Sequence, residues 1–332
     1  MLHSQPQPQP QPQEQDPASS QALDILCPFT RADAIAAGLD PRVLRGKSFR
    51  RLFKGVYVSA ERPPSAFLQA EAALCVHPPG AFASHVTAAR LFDVPVPHLA
   101  DEHVSVFVEQ DRRRRKGIAC HVAPAGARVA VLRGVRVCMP DRMFIELASL
   151  LSLVDLVIVG DVMVRRGWTT PEKLVALCSD SDDRYAATAL RAARYVRDGV
   201  DSPMETRLRM LIVLAGLPEP EVNYKVLDER GKVIRRFDLS YPGIKLLVEY
   251  DGRQHVDDLV QYDTDIYRRE DLDRWHWRLV VVTTKGIYQE PDDTLFRVRR
   301  ALKERGATGL PSRLSDAWRA HFPVQQAVRR SS

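Results

Sequence analysis

The chain has no two cysteines at CxxC spacing. Its five, Cys27, Cys75, Cys120, Cys138 and Cys178, are scattered and odd in number. Neither a cysteine zinc site nor a disulfide framework is expected, and a reducing cytoplasm fits. No apolar run approaches the roughly 18 residues of a membrane span. The N-terminus opens polar and rich in Gln and Pro, unlike a secretory signal. Acids are missing altogether from residues 42 to 54.

What is present bounds the rest. The 332 residues are 45% hydrophobic, enough for two or three cored domains. A net charge of +6 and a pI near 9.1 weakly favour a polyanionic partner. We expect an α/β multi-domain chain in five parts. Residues 1–17 form a Gln/Pro tail without a core. Residues 18–62 form a winged helix-turn-helix, residues 63–200 an α/β middle domain, residues 201–306 a nuclease-like domain, and residues 307–332 a C-terminal tail.

The front module is read from local signals. Residues 18–27 have a helical pattern. Thr30-Arg31-Ala32-Asp33 reads as a capping box, with Gly38 as the stop. Asp40-Pro41 opens a third short helix. Residues 49–59 read as a hairpin turning at Lys54-Gly55. Into the acid-free stretch fall Arg42, Arg45, Lys47, Arg50, Arg51 and Lys54. Recognition-helix and wing contacts to DNA phosphates need such a cluster. A solvated basic face is the plainer account of the same residues.

In the middle, Ser84 is expected to cap a helix over 84–92, and strands over 104–109 and 118–122 flank Arg112-Arg113-Arg114-Arg115-Lys116 as an exposed hairpin loop. Helices are expected over 143–152, 154–166 and 171–177. His85, His98, His103 and His121 are dispersed, and we expect them to be structural or exposed.

The pattern sharpens after Val200. Ser202-Pro203-Met204-Glu205 supplies a cap, a proline at the first helical position and an acid at the third. Strands over 222–227, 233–239 and 245–251 follow, then a helix over 259–274, a strand over 278–284 and a helix over 293–305. Asp238 would face Glu249 across the turn at Pro242-Gly243, with Asp251 two residues on along the same face. Carboxylates beside the apolar Leu246-Leu247-Val248 run are costly unless something pairs with them, and a divalent cation suits.

This α-β-β-β-α-β-α order, with Phe237-Asp238 and Val248-Glu249-Tyr250-Asp251-Gly252 on adjoining strands, resembles the PD-(D/E)XK nuclease superfamily. The likeness is closer to its branch similar to the very-short-patch-repair endonuclease. It also rests on Gly216-Leu217-Pro218, His255, Asp265 with Arg268 and Arg269, and Trp277. The resemblance implies a restriction-endonuclease-like fold and Mg²⁺- or Mn²⁺-dependent hydrolysis of DNA. It implies Asp238 and Glu249 as metal ligands and Glu205 holding a metal-bound water. It also implies His255 in an acid/base role, and Arg268 or Arg269 on the scissile phosphate, with Gln261 near the same edge. Asp251 departs from the pattern, standing where a lysine is usual; the branch uses a histidine instead, and Lys225 or Arg235 on neighbouring strands are alternative replacements for that lysine. Plainer accounts exist: Glu205 serves the cap alone, His255 is an ordinary histidine near a strand end, and Asp265 pairs with the arginines within its helix.

Residues 30–180 are also similar, more loosely, to AbiEi-family antitoxin-like regulators. That likeness is carried by Phe29-Thr30-Arg31, Arg51 to Tyr57, and Ser84-His85-Val86-Thr87-Ala88-Ala89. It implies a non-catalytic DNA-binding regulator as the alternative, or a partner of a cognate toxin-like protein.

Overall fold

A computed structural model describes residues 23–227, 233–252 and 272–323. The Gln/Pro tail, His255, Gln261, Asp265, Arg268 and Arg269, and most of the helix expected over 259–274, lie outside the described residues. The chain divides into two compact units, Met1–Pro79 and Gly80–Ser332.

In the first unit, strands β1 (Phe29–Thr30), β2 (Phe49–Phe53) and β3 (Val56–Ser59) form a sheet in the order β1-β3-β2. Helix α1 (Arg31–Ala36) starts at the expected capping box. The Thr30 hydroxyl accepts from the Asp33 amide at 3.2 Å, and the Asp33 carboxylate accepts from the Thr30 amide at 2.7 Å. The β2–β3 hairpin forms as expected, with Gly55 at φ +81° in its turn. Phe29, Ala34 and Leu44 make the core, backed by Phe49 and Tyr57.

Two expected helices differ among the described residues. Of the first, residues 23–27 turn at Ile25 and Leu26, because the Asp24 carboxylate accepts from the Leu26 amide at 2.9 Å and so competes with helical bonding. After Asp40 there is one 3₁₀ turn, Val43–Arg45. Asp40 takes the Arg42 amide at 2.8 Å, closing a two-residue turn in place of a helix cap. Helix α2 (Ala66–Leu74) follows, capped by Ser65.

The second unit holds two sheets. Strands β4 (Phe82–Ala83), β5 (Glu102–Val106), β6 (Ile118–Val122), β7 (Val129–Leu132) and β8 (Val135–Cys138) run in the order β6-β5-β4-β8-β7. Against this sheet lie α3 (His85–Leu91) and α4 (Pro140–Leu147), followed by α5 (Leu153–Arg165), α6 (Pro171–Ser179) and α7 (Ala186–Ala193). The sequence reading missed β4, α7 and the β7–β8 hairpin. It also misjudged the 112–116 loop. β5 and β6 pair in parallel, Glu102 with Ile118 through Val106 with Val122, so the basic segment is a return connection and not a hairpin tip. The return is held by Arg112 Nε donating to the Cys120 carbonyl at 3.1 Å and by a turn from Arg115 to Ile118.

The C-terminal part follows the expected order closely. Helix α8 (Pro203–Leu214) precedes β9 (Glu221–Leu227), β10 (Val233–Tyr241) and β11 (Leu246–Asp251). After residues 253–271 come β12 (Arg278–Thr283), α9 (Thr284–Tyr288) and α10 (Pro291–Glu304). The sheet order is β12-β11-β10-β9. β10 is antiparallel to its neighbours β9 and β11, and β12 is parallel to β11. Beyond α10 the chain stays on the fold, with Trp318 and Phe322 buried and the Ser315 amide bonded to the Ala215 carbonyl.

Helices α5 and α8 are joined through a buried ion pair. Arg209 is fully buried and lies 3.0 Å from Asp161. Asp161 also accepts from Thr206 Oγ1 and the Arg197 amide, both at 2.8 Å, while Arg209 donates to Glu219 and the Tyr195 carbonyl. Burial pushes the Asp161 carboxyl above its ordinary value, with the Arg209 charge pulling it back. Directly before Asp161 in α5, Gly160 admits close packing, since a Cβ there would meet Val196 at 2.3 Å.

Candidate functional site

Three groups of residues carry chemistry, and they are built differently. The first is acidic and sits where β10 and β11 part. Their ladder pairs Tyr241 with Leu246, Ser240 with Leu247 and Leu239 with Val248, and stops there. The next residues along the two strands are Asp238 and Glu249. Here a side chain takes over from the backbone, as Asp238 Oδ2 accepts from the Tyr250 amide at 3.2 Å. Glu249 is only 6% exposed. Asp251 is half-buried at the end of β11, beside Thr283 of β12.

Glu205 reaches toward this point from the first turn of α8. Its amide donates to Ser202 Oγ at 3.2 Å and its Oε2 accepts from the Asp201 amide at 3.0 Å, so it serves the helix start as expected. Burial raises its pKa, and the Asp238 charge raises it further. The carboxylate that caps the helix thus also senses Asp238.

The second group is the basic stretch of the first unit. Arg42, Arg45, Lys47, Arg51 and Lys54 are exposed. Arg50 is not equivalent to them. It is half-buried and donates to the Arg62 carbonyl, tying β2 to the segment that leads into α2.

The third group was not anticipated. His85, His103 and His121, expected to stand apart, come together, while His98 is exposed elsewhere. β4 runs beside β5, and the Ser84 amide bonds the His103 carbonyl at 3.0 Å, which delivers His85 next to His103. The parallel β5–β6 register pairs Ser105 with His121, so His103, Ser105 and His121 share one face. His103 Nδ1 and His121 Nε2 are 2.9 Å apart, and the His85 ring stacks on His121 at 3.9 Å between centroids. Among the described residues, this trio is the set of three donor atoms lying within 4.8 Å of one another.

The surroundings keep these rings neutral. Burial lowers His85 to about 2, with the neighbouring histidines adding to the effect. Burial likewise lowers His103 and His121 to about 4. Ser84 does not cap α3 through its side chain. Its hydroxyl meets His85 Nδ1 at 3.0 Å and accepts from Ser105 Oγ at 2.8 Å. The helix start is instead served from a distance, by Glu146 Oε2 accepting from the His85 amide at 3.2 Å. Glu146 is 2% exposed and held by Arg142 at 2.9 Å, and burial raises its pKa. His85 and His121 line a cleft of about 590 Å³ together with Arg112, Arg142, Glu146 and Arg184.

Nothing in the spacing of these three histidines reveals the trio. The signal that was available is the Ser84-His85 pair directly before a helix, followed by two strands each carrying a histidine.

No family model matches the chain. It is similar to two uncharacterized proteins from two strains of Mycobacterium tuberculosis, each 25% identical over 274 residues, covering 82% of this chain and 98% of the relative. The likeness therefore runs across both units and carries no activity with it. Among the described residues, no helix is long and apolar enough to cross a membrane.

Proposed function

We propose that this protein is a metal-dependent DNA endonuclease whose hydrolytic site is Asp238 with Glu249, and whose basic hairpin in the first unit engages DNA. The observation that carries this reading is the end of the β10–β11 ladder beside Asp238 and Glu249, with Glu205 in electrostatic reach of Asp238. The proposed fold is restriction-endonuclease-like, and its supports are the α8-β9-β10-β11 succession and the parallel β12.

The donor set suits the implied Mg²⁺ or Mn²⁺. Both groups are carboxylates, the hard oxygen donors such cations take, and Mg²⁺ needs only one or two while keeping several waters. When bound, the ion supplies neutralised phosphate charge and a more acidic water. The chain's own residues do the rest. Asp238 is oriented by the Tyr250 amide, so its carboxylate cannot swing away from the site. Glu249 presents its charge from a strand position shielded from solvent. Glu205 has its proton affinity raised, which fits it to accept a proton from a water attacking phosphorus. His255 and Arg268 or Arg269 keep their proposed roles as acid/base and phosphate contact. Arg42, Arg45, Lys47, Arg51 and Lys54 supply exposed positive charge for the DNA backbone. The protein would act in the cytoplasm.

A second reading is a DNA-binding, antitoxin-like regulator that retains the fold without turnover, with a toxin-like protein as its partner. Asp251 favours it, because an aspartate cannot stabilise an attacking hydroxide as the usual lysine does. A metal-titrated cleavage assay on duplex, mismatched, nicked and single-stranded DNA separates the two. Cutting that needs Mg²⁺ or Mn²⁺ and vanishes in Asp238→Ala supports the nuclease. Salt-sensitive binding without cutting on any form supports the regulator.

A further inference from the structure

Three imidazoles from three separate segments meet beside a cleft, remote in sequence from the acids of the C-terminal sheet. We propose that His85, His103 and His121 form a binding site for a divalent transition-metal ion of the zinc class, with its fourth position opening on the cleft that His85 and His121 line. The site is independent of the nuclease reading and uses none of its residues.

The geometry fits with little adjustment. Zn–N bonds of 2.0–2.1 Å in a tetrahedron separate ligand nitrogens by about 3.3 Å. His103 Nδ1 and His121 Nε2 are already 2.9 Å apart, and all three donor atoms lie within 4.8 Å of one another. Closing on an ion asks the His103–His121 pair to open by about 0.4 Å and the widest separation to close by up to about 1.5 Å.

The donor chemistry selects the ion. Imidazole suits Zn, Cu, Ni and Fe, whereas Mg²⁺ and Ca²⁺ take oxygen. A simple packing role would be served as well by apolar residues, without desolvating three bases against each other.

The outer partners are those a metal histidine uses. His85 Nδ1 is met by the Ser84 hydroxyl at 3.0 Å, with the Arg142-bound Glu146 carboxylate 3.6 Å away, beyond hydrogen-bond distance. Ser84 and Ser105 hydroxyls complete the polar backing. The backbone of His85 is held at φ +49°, a left-handed conformation that non-glycine residues avoid. That strain persists at the residue turned into the cluster, which is where such outliers collect. The fourth ligand is then a water or an anionic group, drawn by Arg112 and Arg184 at the cleft wall.

The test uses the full chain, stripped with a chelator and titrated with Zn²⁺ by calorimetry and with Co²⁺ by visible absorption. One equivalent should bind, raise the melting temperature and give the intense visible bands of four-coordinate Co²⁺. Excess Mg²⁺ should not displace it. His103→Gln and His121→Gln should each weaken Zn²⁺ binding by at least about a hundredfold, a loss no smaller than outer-partner changes give, while Asp238→Ala leaves it intact. Failure of the wild-type protein to take up one equivalent, or uptake unchanged in both histidine variants, overturns the proposal. If the variants do not fold by circular dichroism, X-ray absorption on the zinc-loaded wild type decides. A first shell with three imidazoles supports the site, and an oxygen-only shell ends it.

Discussion

Asp238 and Glu249 belong to one hairpin, whereas His85, His103 and His121 come from the start of a helix and two parallel strands. Carboxylates near an apolar strand are costly to keep ionised, and repel one another, unless hydrogen bonds or a cation offset their charge. The histidines face no such repulsion, because burial leaves them neutral. One region offers hard anionic oxygens, the other borderline neutral nitrogens. The same unit can thus hold two sites with different ion preference and opposite response to protons.

The largest effect should come from the pair that joins the helices behind these regions. Arg209→Met or Asp161→Ala alone strands a buried charge and should cost about 3–5 kcal/mol in urea unfolding. Replacing both with apolar residues should cost far less. Equal losses in the single and double variants would show that volume, and not charge, governs the junction.

Asp238→Ala should lower metal-dependent DNA cleavage by at least about a hundredfold, or about 2.7 kcal/mol of barrier, with melting temperature and Zn²⁺ uptake little changed. Retained cleavage would move the hydrolytic site elsewhere.

Acid should separate the regions next. His85, His103 and His121 have folded values below their ordinary 6.5, so the stability they contribute is present above 6.5 and is lost as pH falls toward about 4. Glu205 runs the other way, since its raised value makes its ionised form costlier in the fold as pH rises. Chelator-treated protein should therefore lose melting temperature between pH 6.5 and 4, and the loss should shrink in His121→Gln. A flat profile would break the assignment.

The smallest effect is on the first unit. Arg51→Ala and Lys54→Ala should each reduce the salt dependence of DNA binding by roughly one counterion, measured by fluorescence anisotropy across a salt series. Arg50→Ala should instead lower stability, because that side chain holds the Arg62 carbonyl.

How far the sequence could be read depended on the range of the interactions involved. The Thr30–Asp33 box, the Ser202–Glu205 start of α8 and the hairpin strands are local patterns, and each forms as expected. The third helix of the first unit failed because one carboxylate, Asp40, preferred the nearer amide of Arg42. The hairpin expected around Arg112–Lys116 failed because strand direction is set by pairing with neighbours, and periodicity is identical for parallel and antiparallel strands.

By itself the sequence determined the α-β-β-β succession of the C-terminal part, the positions of Asp238 and Glu249 on adjoining strands, and the acid-free basic stretch. All three rest on alternation and turn chemistry within a few tens of residues. Only the tertiary structure decided that Arg209 and Asp161 would pair and that three dispersed histidines would become one cluster. Those contacts follow from sheet order and register, which depend on how distant segments bury their faces together.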